Sequence, residues 1–531
     1  MKRIVCALGV VMALTSSANG QVAGRATGWQ NKQAVDALAK RIDAYLAGVQ
    51  ATAGVKALPA ADPSTFFRRF HLDMVGKIPT LIDIRDYLDN DDPHKLWDWS
   101  ERFLSEGTFA RHFASVFRAH ILTGANQQGQ TFGPPLEGWL RDKLDKDLGY
   151  NRIVHDMLAP GAEAMQMNNA SPVGFFLGAE NKPENLAGAA SRVFLGVKIE
   201  CAQCHPHPFA KWNKDQFWEF AAFFVGTQAF NRFRGGEQPV QAANLFVREI
   251  TIPGTDKVAK AKFLTGEEPV WKKDVATRTV LADWMTAPKN PYFAKNTADL
   301  VFAYFFGVSL LEPILEPSDD APITHPELLD ELARQLVEHN FDLKFLIRAI
   351  VHTQAYQRAS AGGGPLGKDD YVLFTRMPVR GLSPEQLYDS FIEATIGPKG
   401  HSEPNYQPQN FGFNPQAGAN PRAAFLAKFA STERRHESQT SILQALFMMN
   451  SKFVAEKLHN NSEISTIATR PNIPTDQRLQ TLFLMALSRP PRPDELARLA
   501  PFVDEKGADP RQRLGDIYWA LLNSAEFRLN H

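Results

Sequence analysis

Apolar residues recur along this chain at helical rather than strand spacing. Val35, Leu38, Ile42, Tyr45 and Leu46 fall on one face and predict a helix over 30–50. Asp62 followed by Pro63 opens a second helix over 62–75. The carboxylate accepts from unpaired N–H groups there, and proline is pre-shaped for the first helical position. Thr80, after Pro79, caps a third that carries Ile84, Tyr87 and Leu88. Helical spacing returns over 95–122 and 136–158, then Pro160-Gly161, Asn168-Asn169 and Ser171-Pro172 mark a loop. Residues 184–204 read as a helix that Pro206 stops, because proline bars helical dihedrals at His205. Asn213 with Gln216 predicts a capping box for an aromatic helix over 214–225.

The period changes over 226–270. Glycines at 226, 235, 236, 254 and 266 punctuate the segment, and Leu245–Ile252 and Val258–Leu264 read as the strands of a small hairpin. Helices resume near 275. Thr324 with Glu327 predicts a capping box ahead of Leu328, Leu329, Leu332 and Leu336, and Ser383-Pro384 opens another helix. Residues 398–422 form a Pro/Asn/Gly-rich loop. The last helix starts at Asp509-Pro510 and lines up Leu514, Ile517, Tyr518, Leu521 and Leu522. There is no internal repeat. The expected fold is mainly α: two helical domains, 21–225 and 271–531, with a small β-containing connector over 226–270. A length of 531 residues is also compatible with about three domains.

The N-terminus adds an address. Lys2 and Arg3 precede an apolar stretch, Ile4 to Leu14, and Ala18-Asn19-Gly20 supplies small residues for cleavage after Gly20. This is the pattern of a signal peptide over 1–20. The stretch is too short for a span of roughly 20 residues, and the later apolar run Val301 to Leu311 is about half that length. The expectation is an exported chain, periplasmic or at the cell surface, with no transmembrane segment once the leader is removed.

Charge narrows the function classes. With 58 basic and 58 acidic residues the net charge is zero, so no bulk field draws the chain to nucleic acid. Clusters such as Glu433-Arg434-Arg435-His436 read as solvated faces. Phenylalanine is frequent, at 37 residues, and core filling accounts for it best. There is no Gly-rich phosphate loop, no Gly-x-Ser-x-Gly elbow and no His-Glu-x-x-His. Glu312, Glu316, Asp319 and Asp320 read as a solvated loop, and His325 as a first-turn helix residue. His71, near Asp73, and His352 carry no assignment from sequence.

The informative chemistry sits in one heptad. The chain has three cysteines, and Cys6 falls in the leader. The other two lie in Cys201-Ala202-Gln203-Cys204-His205-Pro206-His207. Cys-x-x-Cys-His is the attachment pattern of c-type haem: two thiols form thioethers to one porphyrin, and the adjacent His205 supplies an axial imidazole. Met165, Met167, His112, His120 and His155 are candidates for the other axial position. His207 is too close to His205 to cross the ring. Two other readings stay open. Cys201, Cys204, His205 and His207 are potential ligands for zinc or iron, with Asp215 a possible completing residue. A bare Cys-x-x-Cys can also close a disulfide in a non-enzymatic surface scaffold. Trp212, Phe217 and Trp218 are expected to wall the site. The sequence alone leaves open whether the protein is an enzyme.

Several blocks together carry a resemblance. Residues 62–79 (DPSTFFRRFHLDMVGKIP) and 193–224 (VFLGVKIECAQCHPHPFAKWNKDQFWEFAAFF) resemble domain-of-unknown-function family 1549 of planctomycete-type exported proteins, also called planctomycete cytochrome-associated domain two. Residues 290–306, 325–357, 382–389, 443–450 and 518–531 resemble its usual partner, family 1553. The resemblance implies an exported protein often linked to cytochrome c-like domains, hence a cytochrome c-type redox partner or another exported protein, and no settled activity. Two positions depart from the pattern. Pro206 stands where members carry Asp or Asn, removing a side chain that would hydrogen-bond a motif histidine. Asp299-Leu300-Val301-Phe302 replaces Asn-Arg-x-Trp, removing an arginine.

Overall fold

A computed structural model describes residues 28–105, 107–126, 129, 131–160, 170–206, 212–226, 245–311, 324–362, 368–396, 422, 425–426, 466–467, 470 and 473–531. The leader, Met165, Met167, His207, the acidic loop 312–320 and the block 443–450 lie outside these residues, as does nearly all of the loop expected over 398–422. Among the described residues the chain is mainly α, with two small antiparallel pairs of strands. Among the described residues no helix is long and apolar enough to cross a membrane.

Local rules place many helix starts. Asp62 accepts from Ser64 N and Thr65 N, with Pro63 at the first position of helix Pro63–Val75. Thr80 accepts from Asp83 N, and Asn213 and Gln216 form the reciprocal capping box of helix Lys214–Ala221. Ser383 and Gln386 exchange the same pair of bonds. The stretches read as 95–122 and 136–158 are each two helices: Lys95–Ser105 and Thr108–Ile121, then Gly133–Asp145 and Tyr150–Leu158.

Three expectations need correction. The helix expected over 184–204 is Pro183–Ala190 only. It widens into a π-turn at Ser191–Leu195 and ends at Gly196, whose φ of 68° is left-handed. The motif then occupies a separate 3₁₀ turn, Glu200–Gln203. The capping box at Thr324 does not form: the helix begins one residue later, at Pro326 after His325, and the Thr324 hydroxyl donates to Leu310 O instead. The hairpin exists but its strands are shorter, β1 at Glu249–Thr251 and β2 at Val258–Lys260, in the register Glu249↔Lys260.

The core is two apolar clusters. The larger draws on residues from Val35 to Met377 and includes Leu484. The smaller gathers Leu382, Phe391, Leu482, Tyr518 and Phe527, and also takes Leu72 and Ile78 from the N-terminal part. Helix Pro63–Val75 therefore lies between the two, with Phe66, Phe67, Phe70 and Met74 in one and Leu72 in the other. Ten of its thirteen residues are buried. A second strand pair, β3 (Arg380–Gly381) with β4 (Leu529–Asn530), brings the end of the chain beside this helix.

Candidate functional site

The cysteine motif is built as a surface turn on a buried footing. Cys201 and Cys204 are exposed and their thiols are free. Ala202, between them, is fully buried, and its N–H donates to Ile199 O at 2.9 Å. A small apolar residue between the cysteines pins the turn while both sulfurs face water. Trp218 fixes the other side: its indole N–H donates to Gln203 O at 3.1 Å. The capping box at Asn213 starts the helix that aims Trp218, and Phe217 meets Trp218 edge-on at 5.4 Å. Trp212, Phe217 and Trp218 are each at most 2% exposed. All three belong to the larger buried cluster that also takes in Ala202.

The approach to the turn is held by charge and by close packing. Arg192 donates from Nε to Glu200 Oε1 at 3.0 Å and from Nη1 to Thr123 O at 3.2 Å. Glu200 folds back over Gly188, where a Cβ would lie 2.6 Å from its Cγ. The π-turn leaves the Val193 carbonyl without its helical partner, and Asn296 donates to it from Nδ2 at 2.9 Å. Gly196 makes room for Asn296: a Cβ there would sit 2.6 Å from Asn296 Oδ1. A side chain from the C-terminal half thus braces the segment leading into the motif.

His205 is exposed, and its Nδ1 lies 2.8 Å from Pro206 O. A carbonyl only accepts, so Nδ1 carries the proton. In the neutral ring this leaves the Nε2 lone pair available to an electrophile. The Asp or Asn side chain that Pro206 replaces is not needed for this orientation, because the backbone carbonyl of that residue supplies the partner. Two free thiols on one tight turn with a tautomer-fixed imidazole beside them suit covalent haem attachment and axial ligation. Among the described residues no group of three or more His, Cys, Asp or Glu is arranged to hold a metal ion.

The other candidates are engaged elsewhere. His112 is 9% exposed, meets the Tyr304 hydroxyl at 2.6 Å from Nε2, and lies against Gly76, where a Cβ would fall 2.2 Å from Nδ1. His120 donates to Val193 O at 3.3 Å, and burial holds its pKa down at about 4. His155 pairs with Asp283 at 3.1 Å, and Asp215 with Lys257 at 2.6 Å. Asp299 accepts from Ser309 Oγ, Leu310 N and Leu311 N, and burial raises its carboxyl to about 6. At this departure from the family pattern the chain uses a carboxylate to close a loop.

Arg192, Glu200 and Asn296 were not singled out in the sequence, and Trp218 was expected as a wall of the site rather than as a hydrogen-bond donor to it. The capping box places Trp218 on a helix but does not say where its N–H points. Asn296 acts from a distant part of the chain.

The fold is that of a mainly helical protein, and two family models match successive parts of it. Residues 41–229 match PSCyt2, a protein of unknown function (DUF1549), and residues 277–503 match PSD1, a protein of unknown function (DUF1553). The chain carries both, in the order the resemblance implies. No curated protein and no solved structure matches it significantly.

Proposed function

We propose that this is an exported electron-transfer protein carrying haem c at Cys201, Cys204 and His205. The observation that carries the reading is the arrangement of three groups on one exposed turn: two free thiols, and an imidazole whose Nδ1 proton is held by Pro206 O. When bound there, haem supplies one-electron chemistry at its iron. Cys201 and Cys204 would hold the haem through thioethers, and His205 would offer Nε2 to its iron. The buried footing of Ala202, Trp218 and Phe217 keeps the turn from moving when charge on the group changes. The name of the matched N-terminal family points to a cytochrome association, and the leader pattern over residues 1–20 agrees with attachment outside the cytoplasm. The partner fitting this reading is a cytochrome c-type protein or another exported redox protein.

The test is to produce the full chain together with a cytochrome c maturation system and to compare it with Cys201→Ala, Cys204→Ala and His205→Ala. The wild type is expected to hold haem through denaturation. Either cysteine variant loses one thioether and most of its yield, and His205→Ala shifts the iron spectrum. Zinc or iron without a Soret band, lost on chelation, would establish the non-haem metal site at Cys201, Cys204, His205 and His207 instead. A mass lower than the apo chain by two hydrogens would establish a disulfide scaffold.

A further inference from the structure

Helix Pro63–Val75 carries three charged side chains, Arg68, Arg69 and Asp73, each 1% exposed. All three lie inside the stretch 41–229 that matches the first family. Their side-chain hydrogen-bond partners among the described residues come entirely from residues 356–531. Arg68 donates from Nη1 to Ala486 O at 3.1 Å and to Ser488 Oγ at 3.3 Å, and from Nη2 to Phe527 O at 2.9 Å. Its guanidinium also lies over the Phe527 ring. Arg69 donates to Tyr356 O at 2.6 Å, to Ser360 Oγ at 3.2 Å and to His531 O at 3.3 Å. Asp73 accepts from Arg380 Nη2 with both oxygens at 2.9 Å, from the Tyr356 hydroxyl at 2.8 Å and from Asn530 Nδ2 at 2.8 Å.

Two sequence blocks at opposite ends of the chain, 62–79 and 518–531, meet here, and the proposed redox function uses neither. Leu72, one residue before Asp73, enters the apolar cluster of the C-terminal half, and Gln386 donates from Nε2 to Leu72 O at 3.0 Å. Without that half Arg69 and Asp73 keep only their attraction to each other, Arg68 has no counter-charge on the helix, and all three lose the hydrogen-bond partners given above. A buried charge stripped of its partner is among the costliest defects a fold can carry.

We propose that this helix face is a docking site for the C-terminal half of the same chain, read by strand β3 and the segment Phe527–His531. The two halves of the chain are then obligate partners: the half bearing the cysteine motif is completed by residues near position 530, beyond the stretch 277–503 that matches the second family. Apolar contact alone would let the halves slide, whereas the bonds from Arg380 and Asn530 to one carboxylate set a single register. The proposal is independent of what the cysteines bind.

The test uses the full chain with a protease site placed between Gly226 and Leu245, clipped after folding. The two fragments are expected to co-elute as a one-to-one complex and to melt in one transition. In the Asp73→Asn version the fragments are expected to dissociate at least about tenfold more readily on dilution, because Arg380 and Arg69 lose the neutralising charge. If Asp73→Asn does not fold, Tyr356→Phe, which removes one donor, carries the test with a smaller rise in the same direction. Wild-type fragments that separate and each melt cooperatively would overturn the proposal. So would a fragment affinity unchanged by both substitutions.

Discussion

His71 shows how one side chain imposes a pH limit on the fold. It is 3% exposed, its Nδ1 lies 2.7 Å from Lys77 O, and burial holds its pKa down at about 4 from an ordinary 6.5. The unfolded chain therefore binds the proton more readily than the folded one between those values. The stability tied to the neutral ring is present above 6.5 and is lost as pH falls toward 4. Asparagine can offer an N–H at the same place without titrating. The His71→Asn variant is expected to lose less stability than wild type between pH 7 and pH 4, measured by urea denaturation at each pH; parallel losses would show that His71 does not contribute to the acid limb. Residues of this kind were legible in type but not in role. Asp62, Thr80 and Asn213 could be read as caps because their partners lie within three residues. Arg68, Arg69 and Asp73 bond to groups hundreds of positions away, and no local pattern announces that.

At the scale of elements, the turn before the motif shows why a periodic helix reading fails. Apolar spacing continues through Val193, Phe194 and Leu195, all buried, so the pattern alone extends the helix. Gly196 ends it, with a left-handed φ and its N–H bonded back to Ser191 O. Asn296 then occupies the space a side chain would need. Gly196→Ala is expected to cost roughly 1–2 kcal/mol for the left-handed backbone, and more for the clash with Asn296. Asn296→Ala relieves the clash while giving up its bond to Val193 O. The double variant should therefore cost less than the sum of the singles by about 0.5 kcal/mol or more in urea melts. Strict additivity would mean that Asn296 does not brace this turn. The start of helix Pro326–Glu338 carries a similar lesson: Thr324 and Glu327 have capping-box spacing, but Pro326 sets the first helical residue one place too late for it.

For the whole molecule, the mainly helical class was legible because period and helix-start signals agree along most of the chain. The cores were not. The larger apolar cluster runs from Val35 to Met377, across the hairpin connector, and ring stacking ties the parts together: Phe223 lies on Phe263 at 5.4 Å, and Phe263 on Trp284 at 4.7 Å. The pair β3–β4 was invisible in the sequence because two-residue strands have no alternation to read. What holds the motif at the surface followed from neither period nor composition. It depends on Ala202 and Trp218 pulling the turn down between two sulfurs that remain in water.

The central claim is that these two sulfurs hold haem. The most direct measurement is a pyridine haemochrome spectrum of the full chain, matured with haem-attachment machinery and then fully denatured, with intact mass taken on the same sample. The account predicts a c-type haemochrome at one haem per chain that survives acid–acetone extraction, together with the mass of the chain plus one haem. Cysteines that emerge free, disulfide-bonded or holding only a chelatable metal, from cells that mature a control cytochrome c, would contradict it.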